Sequence, residues 1–296
     1  MKLTYILNEN NDGLIVTGGE DLKGELIIPS EDELNGKVYP LKEIGASFWN
    51  TIPSIIWDRP PLTSVFIPNS VTKIGNDAFS DCTELSSLDI PKSIIEIGRS
   101  AFRSCRSLSS IVIPASVTKI ETDAFCGCGG LKSIVVEDGN RFYDSRENCN
   151  AIIETSSNTL HTGCKSTTIP NGVTSIGDLA FGGCSGLPSI TIPNSVTSIL
   201  GRACRVCTSL TSITIPNSVS SIGDGAFYMC RGLTSVIVEW ETPVAINSVV
   251  FEYSNYQNAT LYVPKGSKGA YQSADYWNEF KEIVEISKGD LNGDDE

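Results

Sequence analysis

Ten cysteines and one histidine are the side chains of this 296-residue chain best equipped for chemistry. Thiols can pair as disulfides, ligate soft metals or attack as thiolates. Six of them, Cys82, Cys105, Cys128, Cys184, Cys207 and Cys230, fall into two groups of three, spaced by 23 residues within each group. If each period is one coil of a stack, neighbouring coils lie about 4.8 Å apart. Parallel side chains would then keep their Cβ atoms near ~4.8 Å, beyond the ~3.5–4.5 Å a disulfide wants. The expectation is a line of buried, reduced thiols. Cys126, Cys149, Cys164 and Cys204 are off register, and the sequence leaves their redox state open. Cys126 with Cys128, and Cys204 with Cys207, have the spacing of CxC and CxxC metal half-sites. Each pair holds a core-facing member, and His161 is the only histidine, so no metal site is expected within the repeats.

Other catalytic arrangements are missing from the sequence. It has no glycine-rich phosphate loop, no HExxH and no GxSxG. His161 reads as an exposed polar residue with no evident serine or cysteine partner. The chain is read as not an enzyme, and no cofactor is expected. The end, "KGDLNGDDE", sets Asp290, Asn292 and Asp294 at positions 1, 3 and 5 of a calcium loop. It resembles the opening of a dockerin-type repeat, yet Asp295 stands where that loop needs glycine. A solvated acidic tail is the other reading. On the dockerin reading, these three residues would bind metal only if a further module follows.

The thiols sit in a repeat. Isoleucine–proline pairs place Pro68, Pro91 and Pro114, then Pro170, Pro193 and Pro216, again 23 apart within each trio. "SITIPNSV" occurs word for word at 189–196 and 212–219. A fixed period of this length marks a solenoid. In "LTSVFIPNSVTKIGNDAFSDC", Val65 and Ile67 alternate with Ser64 and Phe66 as in a half-buried strand. Pro68 ends the ladder because it has no N–H. Val71 and Ile74 form a second inward pair, and Ala78, Phe79 and Cys82 close the coil. Strands are expected near 64–67, 87–90, 110–113, 133–136, 166–169, 189–192, 212–215 and 235–238, in one parallel sheet. Cys204 replaces the phenylalanine of its coil, which should be less well filled.

This pattern resembles the BspA-like leucine-rich repeats of bacterial surface proteins, on "IPNSVTKIGNDAF", "IPNSVTSI" and "CTSLTSITIP". The resemblance implies a curved, right-handed α/β-class solenoid, mostly β in content, and a surface or secreted protein active in adhesion. Residues 1–25 read as a hairpin cap around "NNDG", 26–240 as the solenoid and 241–286 as a C-terminal cap. The acidic tail occupies 287–296. Within the solenoid, "NAIIE" and "NTLHT" around "TSS" read as a short hairpin standing out from the stack, inside an insertion near 140–168. In the C-terminal cap, a helix from about Ser267 should bury Tyr271, Ala274, Trp277, Phe280 and Ile283 on one face.

Charge and pattern narrow the function. The net charge is −13, with 9 acidic and 4 basic residues in 1–50, 11 and 4 in 239–296, and near neutrality between. An acidic protein with no obvious basic stripe is a poor match for nucleic acid or anionic lipid. No stretch reaches the roughly 18 apolar residues of a membrane helix, and the first residues lack a secretory signal's apolar segment. The expectation is therefore either a protein that stays inside the cell or, for a surface or secreted one, a signal absent from this sequence. A monomer is expected. Outward positions form a serine row and, beside it, Phe66, Asp89, Val112, Val135, Thr168, Thr191, Thr214 and Ile237. Over about nine coils this row would run roughly 40 Å, the scale of a protein interface rather than a small-molecule pocket. The candidate function is recognition of a protein or glycoprotein, host matrix among them, through these eight residues. The alternative is a carbohydrate-binding region or a spacer in a larger cell-envelope protein.

Overall fold

The computed structural model describes residues 2–20, 22–46 and 61–287. The chain divides into two compact units, residues 1–156 and 157–296. The stretched first coil runs partly through 47–60, outside the described residues, as are Asp290, Asn292 and Asp294 of the tail.

The first unit opens with strand Lys2–Leu7 antiparallel to Leu14–Glu20, joined by a turn in which Asn8 N–H donates to Gly13 O at 2.9 Å. Two parallel ladders follow where one sheet is expected. One runs through Gly24–Ile27, Leu62–Phe66 and Ser87–Leu88, with Ser110–Ile113 and Ser133–Val136 as a separate parallel pair. The other joins Leu14–Glu20 and Lys37–Ile44 to the two-residue strands Lys73–Ile74, Glu96–Ile97 and Lys119–Ile120. Proline explains the split. At Pro68, Pro91 and Pro114 it ends the first stretch of the coil, and the chain regains its ladder only at the second inward isoleucine.

All eight inward positions of the first complete coil are buried: Leu62, Val65, Ile67, Val71, Ile74, Ala78, Phe79 and Cys82 are at most 5% exposed. The phenylalanines stack directly, with Phe79, Phe102 and Phe125 ring centroids 5.4 Å apart in each pair and nearly parallel. Glycine is required where coils meet most closely. A Cβ on Gly98 would lie 2.7 Å from Asn76 N, and Gly75 is as tightly placed against Ile44 O.

The second unit repeats the plan. Thr159–Gly163, Ser175–Ile176, Ser198–Ile199 and Ser221–Ile222 make its short-strand ladder. Ser189–Thr191, Ser212–Ile215, Ser235–Val238, Thr260–Pro264 and Glu282–Ile286 make a five-stranded parallel ladder. The ladder therefore continues into the C-terminal cap. In place of one long helix there are short helices Tyr253–Asn258 and Lys268–Gln272 and a 3-10 turn Trp277–Glu279. Tyr276, at φ 65°, breaks the helical path. The apolar, largely β-branched "IVEI" then pairs with 261–264 instead. Tyr271, Trp277, Phe280 and Ile283 are still buried.

Two further expectations fail. Residues 166–169 form no strand. There Thr167 Oγ1 accepts from Cys164 N–H at 2.7 Å, and Thr167 N–H donates to Cys164 O, so a local turn takes up backbone groups a ladder would use. Nor does the insertion stand out. Ala151–Glu154 pairs antiparallel with Tyr143–Asp144 in the first unit, and Thr159–Gly163 heads the short-strand ladder of the second. Ala151, Ile152, Ile153 and Leu160 are fully buried. Their apolar side chains supply core, which removes the reason to project into water.

The repeated polar letters bind coil to coil. Ser93, Ser116 and Ser195 hydroxyls donate to the carbonyls of Val71, Ile94 and Val173 in the preceding coil at 2.6–2.8 Å. Thr197 donates to Thr174 O and Ser220 to Thr197 O. Where the phrase breaks off, other side chains take over. Asn140 Nδ2 donates to Val117 O at 2.9 Å, and Trp240 Nε1 donates to Val219 O at 2.8 Å. "SITIPNSV" is thus largely scaffolding, one strand and the polar clasp that follows it.

Each coil also turns at two left-handed residues four apart, among them Asp77 and Asp81, Ser100 and Ser104, and Arg202 and Val206. Aspartate tolerates this region, whereas β-branched Val206, at φ 64°, is strained there.

Candidate functional site

The cysteines sort as their spacing predicts. All ten are unbridged; nine are buried and Cys126 is half-buried. The thiols also do structural work that the sequence did not announce. Cys105, Cys128 and Cys207 donate to Phe79, Phe102 and Phe181 carbonyls at 3.1–3.2 Å, and Cys230 donates to Cys204 O at 3.0 Å. A thiol is thus a small apolar filler that still satisfies a buried carbonyl. Contact with Cys128 together with burial pushes the Cys105 thiol well above its ordinary value. Contact with Cys207 together with burial does the same to Cys230. Burial raises Cys149 and Cys164. Such groups stay protonated and make poor nucleophiles. Among the described residues no three His, Cys, Asp or Glu side chains are placed to hold a metal. His161 is half-buried, with Nδ1 2.9 Å from Thr162 Oγ1. Cys204 fills its phenylalanine position as a buried residue one coil after Phe181, and Gly163 occupies the equivalent place one coil before Phe181, where a Cβ would strike the Phe181 ring at 2.2 Å.

The outward row is built strand by strand. In the first unit Ile27 faces Phe66 and Val112 faces Val135 across the ladder. These four are 55%, 58%, 47% and 43% exposed, a run of large apolar side chains left in water. Asp89 is exposed but lies just beyond the two-residue strand of its coil. In the second unit Thr191, Thr214 and Ile237 are in register, and Tyr262 and Val284 extend their row. Thr191 is exposed, while Thr214, Ile237, Tyr262 and Val284 are half-buried. Thr168 is exposed but stands in the turn at 164–168, outside this ladder. The structure therefore gathers Phe66, Val112 and Val135 in one unit and Thr191, Thr214 and Ile237 in the other.

Ile27, Tyr262 and Val284 were missed in the sequence. The signal for two of them was present. Ile27 stands two residues before Pro29 in "LIIP", and Tyr262 two before Pro264 in "LYVP", the same offset as Phe66 to Pro68. Irregular spacing hid it. The short-strand ladder carries a different surface in each unit. In the first, Lys73 Nζ lies 3.9 Å from both Glu43 and Glu96, and Lys119 Nζ lies 3.6 Å from Glu96 and also pairs with Glu121. In the second, the same positions are Ser175, Ser198 and Ser221, with Ser198 donating to Ser175 at 2.9 Å.

Comparison with solved structures finds this architecture elsewhere. A leucine-rich repeat protein from Eubacterium ventriosum aligns over 89% of this chain and 76% of its own, with 21% identity and a TM-score of 0.60. One from Bacteroides ovatus aligns over 97% and 89%, with 20% identity and a TM-score of 0.51. At these identities the likeness concerns the fold. No curated protein matches the chain. The BspA type leucine rich repeat region matches in six copies over residues 50–158 and 153–273, most of the chain. The inward positions, the proline stops and the coil-to-coil clasps all fall within this span, and the chain belongs to the BspA-type leucine-rich repeat family.

Proposed function

We propose that this chain is a surface-exposed or secreted binding module that recognises a protein or glycoprotein through its outward strand rows, host matrix proteins being the first partners to try. The observation that carries the reading is the exposure of two apolar pairs, each in register across its ladder, Ile27 with Phe66 and Val112 with Val135, in the first unit. Exposed apolar side chains aligned on a rigid ladder resemble the core of an interface more than scattered surface residues do. Nothing about the ladder needs them. Cross-strand packing alone would be served by threonine, as it is at the Thr191–Thr214 pair of the second unit. The protein acts by binding, as a monomer that needs no cofactor, nucleic acid or membrane insertion. Among the described residues no helix is long and apolar enough to cross a membrane.

The carbohydrate reading draws on Tyr262, an aromatic ring in the second unit's row. A partner screen over matrix proteins and a glycan array separates the two. Once a partner is found, Val112→Glu should weaken it at least about tenfold, as expected at the centre of an interface, with melting unchanged. Thr191→Lys tests the second unit's row in the same way. If neither substitution alters binding, the rows are scaffolding.

A further inference from the structure

The first unit carries a basic surface that does not belong to the strand rows. Read for overall charge, the sequence shows no basic stripe, but one coil holds "RSAFRSCRS", with Arg99, Arg103 and Arg106. The structure turns all three outward. Arg99, Arg103 and Arg106 are exposed, while Ser100, Ala101, Phe102 and Cys105 between them are buried. Left-handed Ser100 and Ser104 shape this backbone. It is held on both sides. The carbonyls of Arg99 and Arg103 accept from Asp77 and Asp81 N–H at 2.8 and 2.7 Å, and Ser104 N–H donates to Cys126 O at 2.8 Å. Among the described residues, no ion pair joins any of the three guanidiniums, whereas Arg146 and Arg231 are both paired.

The reason lies in the neighbouring coils. One period before the arginines stand Asn76, Ser80 and Thr83, and one period after stand Thr122, Cys126 and Gly129. All six are uncharged. Acidic residues of the same coils, Asp77, Asp81, Glu84 and Asp123, occupy the positions in between. The basic row is therefore one coil wide, with negative charge beginning about 5 Å to either side.

From this arrangement we propose that the 98–107 coil binds a sulfated polysaccharide. A single narrow chain can lay its anionic groups on the three guanidiniums without crossing the flanking carboxylates. Arginine's planar fork suits oxyanions with several acceptor oxygens. Ser104, half-buried, and Ser107, exposed, follow Arg103 and Arg106 in the chain and add hydroxyls for a hydroxyl-rich ligand. A nucleic-acid duplex, with a charge every ~1.7 Å, would press phosphates onto the acidic neighbours. Single-stranded nucleic acid needs exposed aromatic rings to stack on, and the one ring of this coil, Phe102, is buried. A stiff sugar chain also loses less freedom on binding than an acidic peptide does.

The test uses the full chain and four probes at low salt: a heparin-derived octasaccharide, the same octasaccharide desulfated, oligo-glutamate and oligo-dT. The sulfated probe should bind best. Its affinity should fall with a log–log salt slope of about −2, as three released counterions imply. Arg103→Gln should weaken it severalfold, and Arg99→Gln/Arg103→Gln/Arg106→Gln at least tenfold, with the melting curve unchanged because all three side chains are exposed. The triple arginine-to-lysine variant keeps the charge and the fold and should bind between the two. The proposal is overturned by equal binding of the desulfated probe, by tighter binding of oligo-glutamate or oligo-dT, by full binding in the triple glutamine variant, or by no binding of the sulfated probe to the unaltered chain.

Discussion

Removing one ring from the phenylalanine stack tests whether this solenoid is held together coil by coil. Phe102 is fully buried, between Phe79 and Phe125, with both centroids at 5.4 Å and interplanar angles of 10° and 4°. Its backbone bonds, N–H to Ala124 O and C=O from the Cys128 thiol, survive truncation. Phe102→Ala therefore removes ring burial and two ring pairs. Burial lost with a cavity is worth about 3–5 kcal/mol, and each ring pair adds about 0.5–1.5 kcal/mol beyond area. Phe181 is the control. It is equally buried, but the equivalent positions in the coils beside it are Gly163 and Cys204. Phe181→Ala should cost about 3 kcal/mol, and Phe102→Ala about 1–3 kcal/mol more from its two ring pairs. Urea unfolding gives the totals. Hydrogen exchange should localise the first effect to amides such as Phe79 N–H, bonded to Ala101 O, and Ser104 N–H, because each coil depends on its neighbours. The reasoning fails if Phe181→Ala costs as much as Phe102→Ala, or if Phe102→Ala costs less than about 1 kcal/mol.

Val206→Gly relieves a β-branched residue at φ 64° and should raise stability by about 1 kcal/mol, read as a higher melting temperature; a lower one would mean that packing outweighs strain. Burial holds the Glu43 carboxyl above its ordinary value despite Lys73. Its charge therefore opposes folding more as pH rises through and above the usual carboxylate range. Glu43→Gln should be slightly more stable than the parent at pH 7, and the gain should vanish in acid below that range, as melting at the two pH values checks. The six in-register thiols should resist a water-soluble thiol reagent in the folded protein at pH 8, and close to ten groups should react after unfolding. Three or more unreactive groups in the unfolded chain would point to bridges.

The sequence alone carried the coil. A period of 23, with apolar residues at fixed places within it, admits one economical solution, and every inward position named for the first full coil is buried. The thiol column and the exposure of Phe66, Val112, Val135 and Thr191 were legible for the same reason, since alternation within a strand sets the face of each side chain. What escaped depended on partners distant in sequence. Glu282–Ile286 has a helical apolar spacing, yet it became a strand because Thr260–Pro264 offered it an open ladder edge. Ala151–Glu154 reads as a projecting hairpin, yet it is core because Tyr143–Asp144 pairs with it and its apolar side chains are removed from water. Cys128 looks like packing alone until the fold sets the Phe102 carbonyl 3.1 Å from its sulfur. Arg99, Arg103 and Arg106 look like part of a neutral average until stacking aligns them with uncharged neighbours. Periodicity sets which way a residue faces, because that follows from the local backbone. Only tertiary structure decides what it meets there, because the coil beside it is far away in the chain, most often by 23 residues.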